Sequence, residues 1–152
     1  MLLKEKRDMT TTVIPATPAD YNAVVALLQS NQLPTADIEK TLPHFFVVKQ
    51  AATIIAVIGL ECFNDVGLLR SMATADNHRS KGIAGNLITA LESYAASKKI
   101  TTIYLLTTTA SEYFKKKGYI LTDRFSVPQS IQQTKEFSGL CPSSAAVMKK
   151  EL

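Results

Sequence analysis

Hydrophobic and polar positions switch period along this chain, and the switches predict its elements. Val, Ile and Phe crowd residues 45–49 and 53–61, with Gln50-Ala51-Ala52 as a hairpin turn between two predicted strands. The longest apolar run, residues 51–60, predicts a buried strand and falls short of the ~20 residues a membrane-spanning helix needs. Asn64-Asp65 marks a turn, and residues 66–74 predict a third strand. Ile83, Leu87, Leu91, Tyr94 and Ala95 then recur at helical spacing and form one face of an amphipathic helix. Lys98-Lys99 suits the negative end of its dipole.

Weaker patterns flank this centre. Residues 11–15 predict a short first strand. Thr17-Pro18-Ala19-Asp20 predicts a helix start, with a Thr cap, Pro at the first helical position and an acid three residues after the cap. Val24, Leu27 and Leu28 continue that helix to Asn31, and residues 35–42 predict another short helix stopped by Pro43. Downstream come a strand over 101–106, a helix over 111–117, a strand over 119–123, a weak helix over 127–137 and a last strand over 145–149. The order is an α/β mixture, a central antiparallel meander followed by parallel crossovers.

Composition narrows the class. The chain has 152 residues, 46% of them hydrophobic, which suits one globular domain and is too apolar for a disordered chain. Residues 1–10 read as a flexible tail, leaving 11–152 as a single domain. Charges in residues 1–8 sit where a signal peptide needs an apolar stretch, so a soluble, cytoplasmic protein is expected. Two cysteines, Cys62 and Cys141, without a CxxC or a His-rich cluster, make neither a disulfide framework nor a metal site. Seventeen Lys and Arg against thirteen Asp and Glu leave a net charge of +4, enough to steer an anionic ligand but no argument for nucleic acid.

One stretch carries candidate chemistry. After the strand over 66–74 and the polar turn Ala75-Asp76-Asn77 comes His78-Arg79-Ser80-Lys81-Gly82-Ile83-Ala84-Gly85, a basic loop running into a helix. The first turn of a helix presents unpaired N–H groups and a positive dipole end. Gly82, Ala84 and Gly85 keep that end bare enough for a phosphate to reach the backbone, and Arg79 and Lys81 add charge beside it. The result is an anion cradle suited to a pyrophosphate. It is neither a P-loop nor the dinucleotide GxGxxG fingerprint.

Arg79-Ser80-Lys81-Gly82-Ile83-Ala84 resembles the Arg/Gln-x-x-Gly-x-Gly/Ala motif of the GNAT superfamily of N-acetyltransferases. Ala110 and the Gly118-Tyr119 pair stand where that family's next signature has an Ala and a Gly-aromatic pair. The element order is similar over nearly the whole chain. A narrower resemblance covers about residues 10 to 148. Gly59-Leu60-Glu61, Asp65-Val66-Gly67-Leu68-Leu69-Arg70-Ser71, Tyr104-Leu105-Leu106-Thr107-Thr108-Thr109-Ala110 and Glu136-Phe137 with Leu140-Cys141-Pro142 are similar to the subgroup named for arsenic-resistance N-acetyltransferases.

The superfamily resemblance implies a mixed, mostly antiparallel sheet with helices on both faces and a V-shaped splay between two parallel strands. It implies acetyl-CoA as co-substrate, no metal, a small-molecule amine as acceptor, no nucleic acid or membrane partner, and a monomer or homodimer. Met72, Ala73 and Thr74 would hold the pantetheine arm, and Arg79, Ser80, Lys81, Gly82, Ile83 and Ala84 the pyrophosphate. Glu61, at the end of a strand neighbouring the motif strand, would be the base that takes the amine's proton. A thiolate-protonating Tyr is common in the family, but Phe114 stands at its position. Tyr113 is displaced by ~100° of helix turn, so Tyr113 or Tyr119 acts from another angle or no acid is used. Arg70 either pairs with Glu61 or binds a substrate anion, and Ser71 and Thr107 offer substrate hydrogen bonds. His44, His78 and Cys141 are expected to do no chemistry.

Overall fold

The computed structural model describes residues 12–79, 81–140 and 142–152. The predicted tail over residues 1–10, Ser80 and Cys141 lie outside them. The strands are β1 (Val13–Pro15), β2 (Phe45–Gln50), β3 (Thr53–Phe63), β4 (Val66–Thr74), β5 (Thr102–Thr107), β6 (Ile120–Leu121) and β7 (Ala146–Glu151). The α-helices are α1 (Tyr21–Ser30), α2 (Ile83–Ser97), α3 (Ser111–Lys116) and the single turn α4 (Gln129–Gln132). The strands form a seven-stranded sheet in the order β1-β2-β3-β4-β5-β7-β6. Pairing is antiparallel for β1–β2, β2–β3, β5–β7 and β6–β7, and parallel for β4 with β5, where Val66–Leu68 face Thr102–Tyr104. A parallel pair needs a crossover connection, and α2 supplies it. This is the mixed α/β sheet expected from the sequence.

The chain divides into two compact units. One takes in the chain up to Gly59 together with Ser71–Glu92; the other is Leu60–Arg70 with Ser93–Leu152. In the first unit, Val24 and Leu28, one helical turn apart on α1, pack with Ile38, Leu42, Phe45, Val47, Val57 and Ala73. The Phe45 ring lies against Gly59, where a Cβ would come within 2.7 Å of it. Asp20 fixes the start of α1. Its Oδ2 accepts the Thr17 N–H at 2.9 Å and its Oδ1 meets the Lys49 ammonium at 3.1 Å. In the second unit, Leu68, Tyr104, Val127, Ile131 and Val147 form a core cluster.

Three predicted elements change. Residues 35–42 are not a helix but a succession of turns, in which Ile38 N–H donates to Thr35 O and Leu42 N–H to Glu39 O. Leu42 precedes Pro43, and the proline ring disfavours helical geometry there. Leu42 sits instead at φ 51° and His44 at φ 61°. The helix predicted over 127–137 stops after α4. Thr134 intervenes, its hydroxyl donating to Ile131 O at 2.7 Å and accepting Phe137 N–H at 3.3 Å. Those bonds compete with the helical ladder, and the chain continues as a π-helical turn over Glu136–Leu140. The strand predicted over 119–123 keeps only Ile120 and Leu121 in register with β7. Tyr119 is buried before it and Asp123 accepts Phe125 N–H after it, ending the ladder.

Candidate active site

The loop expected to act as an anion cradle begins where β4 ends. Asp76–His78 form a short 3-10 turn, and α2 starts at Ile83 after Gly82, which stands at φ 79°. That left-handed conformation suits glycine, and a Cβ there would meet nothing within 4 Å. The helix entrance is therefore bare, as a backbone anion site requires. Asn86 N–H donates to Gly82 O, so the amides of the turn before it have no intrahelical acceptor. Ile83 turns its side chain inward, 3% exposed, and could serve an anion only through its backbone. Ala84 is half-buried and Lys81 exposed.

Arg79 lies across this loop. Its Nε donates to Thr74 O at 3.2 Å, its Nη2 donates to Asn31 Oδ1 at the end of α1, and Nη2 lies 3.0 Å from Asp76 Oδ1. The Arg79 side chain is 52% exposed and that of Asp76 88%. A pair this open to water is weak and readily exchanged for a stronger anion. His78 ties the same loop to the end of β2, with Nε2 2.6 Å from Gln50 Oε1 and Nδ1 2.8 Å from Asn77 Oδ1. Upstream in β4, Met72 and Thr74 are half-buried and Ala73 is buried.

The second unit holds a different arrangement. Arg70, near the middle of β4, has a side chain only 4% exposed. Its Nη1 donates to Glu61 Oε2 at 2.8 Å, and its Nη2 lies 3.5 Å from Glu136 Oε2. The Glu61 side chain is 30% exposed and that of Glu136 7%. Of the two readings of Arg70, ion pairing with Glu61 is the one realised, and Glu136 joins it. Sequence reasoning assigned Glu136 no site role, because only the tertiary fold brings it to Arg70.

Ser71 follows at φ 56° inside the strand. Arg70 and Ser71 are both buried, and the left-handed backbone at Ser71 interrupts the alternation of side chains along β4. A left-handed serine in a strand has no sequence signal, unlike glycine or asparagine.

Phe114 is buried at 4% exposure, with its ring edge-on to Tyr113 and Tyr119, centroids 5.6 Å apart in each case. It belongs to the packing. Tyr113 is half-buried, the Lys117 ammonium lies 5.4 Å from its ring centre, and burial pushes its phenol above the ordinary value. The Thr107 hydroxyl accepts the Ala110 N–H at 2.9 Å in the turn that leads into α3. Burial raises the Cys62 thiol although Lys98 pulls it down. No group of three metal-ligating side chains occurs among the described residues, and no described helix is long and apolar enough to cross a membrane.

A family profile described as "Acetyltransferase (GNAT) domain" matches residues 42–121, and the chain belongs to that family. No curated protein matches it by sequence. Among solved structures, N-acetylglutamate synthase from Neisseria gonorrhoeae, complexed with coenzyme A and N-acetyl-glutamate, superposes with a TM-score of 0.81. The two are 15% identical, over 93% of this chain and 35% of that one. Rv2747 from Mycobacterium tuberculosis, in complex with CoA, gives a TM-score of 0.79 at 18% identity, covering 93% of this chain and 99% of that one. A GNAT-family acetyltransferase from Staphylococcus aureus gives 0.76 at 16%, covering 93% and 98%. At these identities the likeness is one of fold. This chain spans about a third of the N-acetylglutamate synthase chains it matches.

Proposed function

We propose that this protein is an acetyl-CoA-dependent N-acetyltransferase whose acceptor is a small-molecule amine. The observation that carries the reading is the bare, basic entrance of α2, with Gly82 at φ 79° beside the exposed Arg79, in a member of the GNAT family. Arg79, Lys81 and the backbone from Ser80 to Ala84 hold the pyrophosphate, and the Met72–Thr74 backbone holds the pantetheine arm. CoA in the related structures supports the same donor here.

Transfer joins the amine nitrogen to the acetyl carbon and breaks the carbon–sulfur bond. Glu61 takes the proton the nitrogen loses, with one carboxylate oxygen held by Arg70. The Thr74 backbone N–H faces the carbonyl oxygen as it gains charge. The sulfur leaves as a thiolate; with a thiol pKa near ~8.5 it needs little help. Tyr113 stays protonated and is the candidate donor to it. Ser71 and Thr107 orient the acceptor. The likeness to the arsenic-resistance subgroup supports a toxic metabolite as that acceptor.

Phe114 favours a second reading, an acyl-CoA-binding sensor without chemistry, because a buried ring replaces the family's usual acid. Glu61→Gln separates the two. In an enzyme this variant binds acetyl-CoA as the wild type does and loses N-acetyl product, measured by mass spectrometry over an amine panel. A wild type that binds acetyl-CoA and acetylates no amine supports the sensor.

A further inference from the structure

Arg124 stands on a 3-10 turn, Arg124–Ser126, that its own bonds fix. Asp123 accepts the Phe125 N–H at 3.0 Å, and the Ser126 hydroxyl donates to Asp123 O at 2.8 Å. From that turn Arg124 Nη2 donates to Ser143 O at 3.2 Å and to Ala145 O at 3.3 Å, just before β7. The guanidinium carbon lies 4.7 Å from the centre of the Phe137 ring, within cation–π range. One side chain thus ties the π-helical turn to the entry of β7. A π-turn is a rare geometry, and this one opens with Glu136 at Arg70. Phe137 packs on the core cluster that contains Leu68. Leu68 stands two residues before Arg70 on β4, so that cluster takes in the sheet face that carries Arg70. All these residues belong to the second unit.

We infer that Arg124 is a positioning residue for the transfer: by clamping Phe137 it keeps Glu136 on Arg70, and Arg70 keeps the Glu61 carboxylate in the orientation that receives the proton. The inference rests on the reading of Glu61 as base and adds the residue that holds it from a distance. The contacts form an unbroken chain. Arg124 stacks on Phe137, the next residue after Glu136. Glu136 Oε2 lies 3.5 Å from Arg70 Nη2, and Arg70 Nη1 donates to Glu61 Oε2 at 2.8 Å. The Glu61 side chain is 30% exposed, so water competes for it and other rotamers are open to it. A guanidinium held in place selects one of them, and a base works only when its rotamer is locked by what lies behind it. Arg124 touches neither the acceptor nor Glu61 in this account.

The test measures kcat, per folded molecule, with the amine of the panel that the wild type acetylates fastest. Arg124→Ala is expected to lower kcat about tenfold, the scale of a small misplacement at a reacting centre, and to leave the acetyl-CoA Kd unchanged by calorimetry. Arg124→Lys, which keeps a cation and donors, restores most of the loss. A residue with only a structural role would shift the denaturant midpoint and leave kcat per folded molecule alone. Because Arg124 acts through Glu136, adding Arg124→Ala to Glu136→Ala costs little further turnover. An unchanged kcat in Arg124→Ala overturns the inference, as does a full second loss in the double variant. Should Arg124→Ala fail to fold, Phe137→Leu removes the ring from under the guanidinium and is held to the same two outcomes. Glu61→Gln separates the layers. Full turnover by Glu61→Gln removes the base and this inference with it. A loss in Glu61→Gln without one in Arg124→Ala removes this inference alone. A wild type that binds acetyl-CoA and acetylates no amine removes both.

Discussion

Arg79 and Arg70 carry the same guanidinium into opposite surroundings. Arg79 is 52% exposed and meets an Asp that is itself 88% exposed. Arg70 is 4% exposed and faces two glutamates, one of them only 7% exposed. Exposure decides what each can do. An open pair contributes little to stability and yields its cation to a stronger anion. A buried cation is held in place by its partners and cannot leave them without stranding their charge. One arginine is therefore open to exchange with solvent and solutes, while the other is fixed beside Glu61.

Exchanging the environments in thought gives the largest expected effect. Arg70→Met removes the guanidinium that joins Glu61 and Glu136 and lowers stability by about 3–5 kcal/mol, read by denaturant unfolding. Arg79→Ala should change stability by less than about 0.5 kcal/mol in the same experiment. Equal losses would erase the distinction between the two arginines.

Glu61→Gln sharpens the comparison on the buried side. Arg70 keeps Glu136 as a partner, so the fold persists, while turnover falls by about 10²-fold or more. Acetyl-CoA affinity should not move, because Glu61 has no part in the cradle. Gly82→Ala probes the exposed side. A Cβ meets no atom within 4 Å, so the cost is the left-handed backbone, about 1 kcal/mol. Gly82→Asn, better suited to that conformation, should lose less, and melting curves of the two variants check the order.

The smallest effect lies away from both arginines. Burial raises the proton affinity of Asp20, but the Thr17 N–H and hydroxyl and the Lys49 ammonium outweigh it, and the carboxyl titrates below its ordinary range. A carboxyl depressed in the folded state contributes stability above its unfolded value, near ~3.9, and loses it as pH falls through the folded one. Asp20→Asn should cost about 1 kcal/mol at neutral pH, the usual size of a lost cap. It should also flatten the loss of stability on the acid side, followed by thermal unfolding between neutral pH and pH ~3.

The centre of this fold was legible in the sequence, and the reason is physical. β4 begins at Val66 and ends at Thr74 as predicted, because its apolar run is bounded by Asn64-Asp65 and by Asp76-Asn77. The spacing of Ile83, Leu87, Leu91 and Ala95 gave α2 because all four are buried along one face. The helix expected over residues 35–42, which hold Ile38 and Leu42, does not form. Both are buried, but by separate turns that each point one side chain inward. At the candidate site, the loop that carries Arg79 and Gly82 could be read from local sequence because it lies within one strand–turn–helix. Glu136 could not, since an amphipathic-looking segment gives no sign that one of its acids meets an arginine distant in sequence. Ser71 was equally silent.

The exposed arginine gives the most direct test of acetyl-CoA binding. Titrating acetyl-CoA into the wild type and Arg79→Ala by calorimetry should give saturable one-to-one binding, weakened about tenfold or more in the variant, as expected when a hydrogen bond to a charged group is lost. Identical binding by the two proteins, or no binding by a folded wild type, would contradict the proposed site.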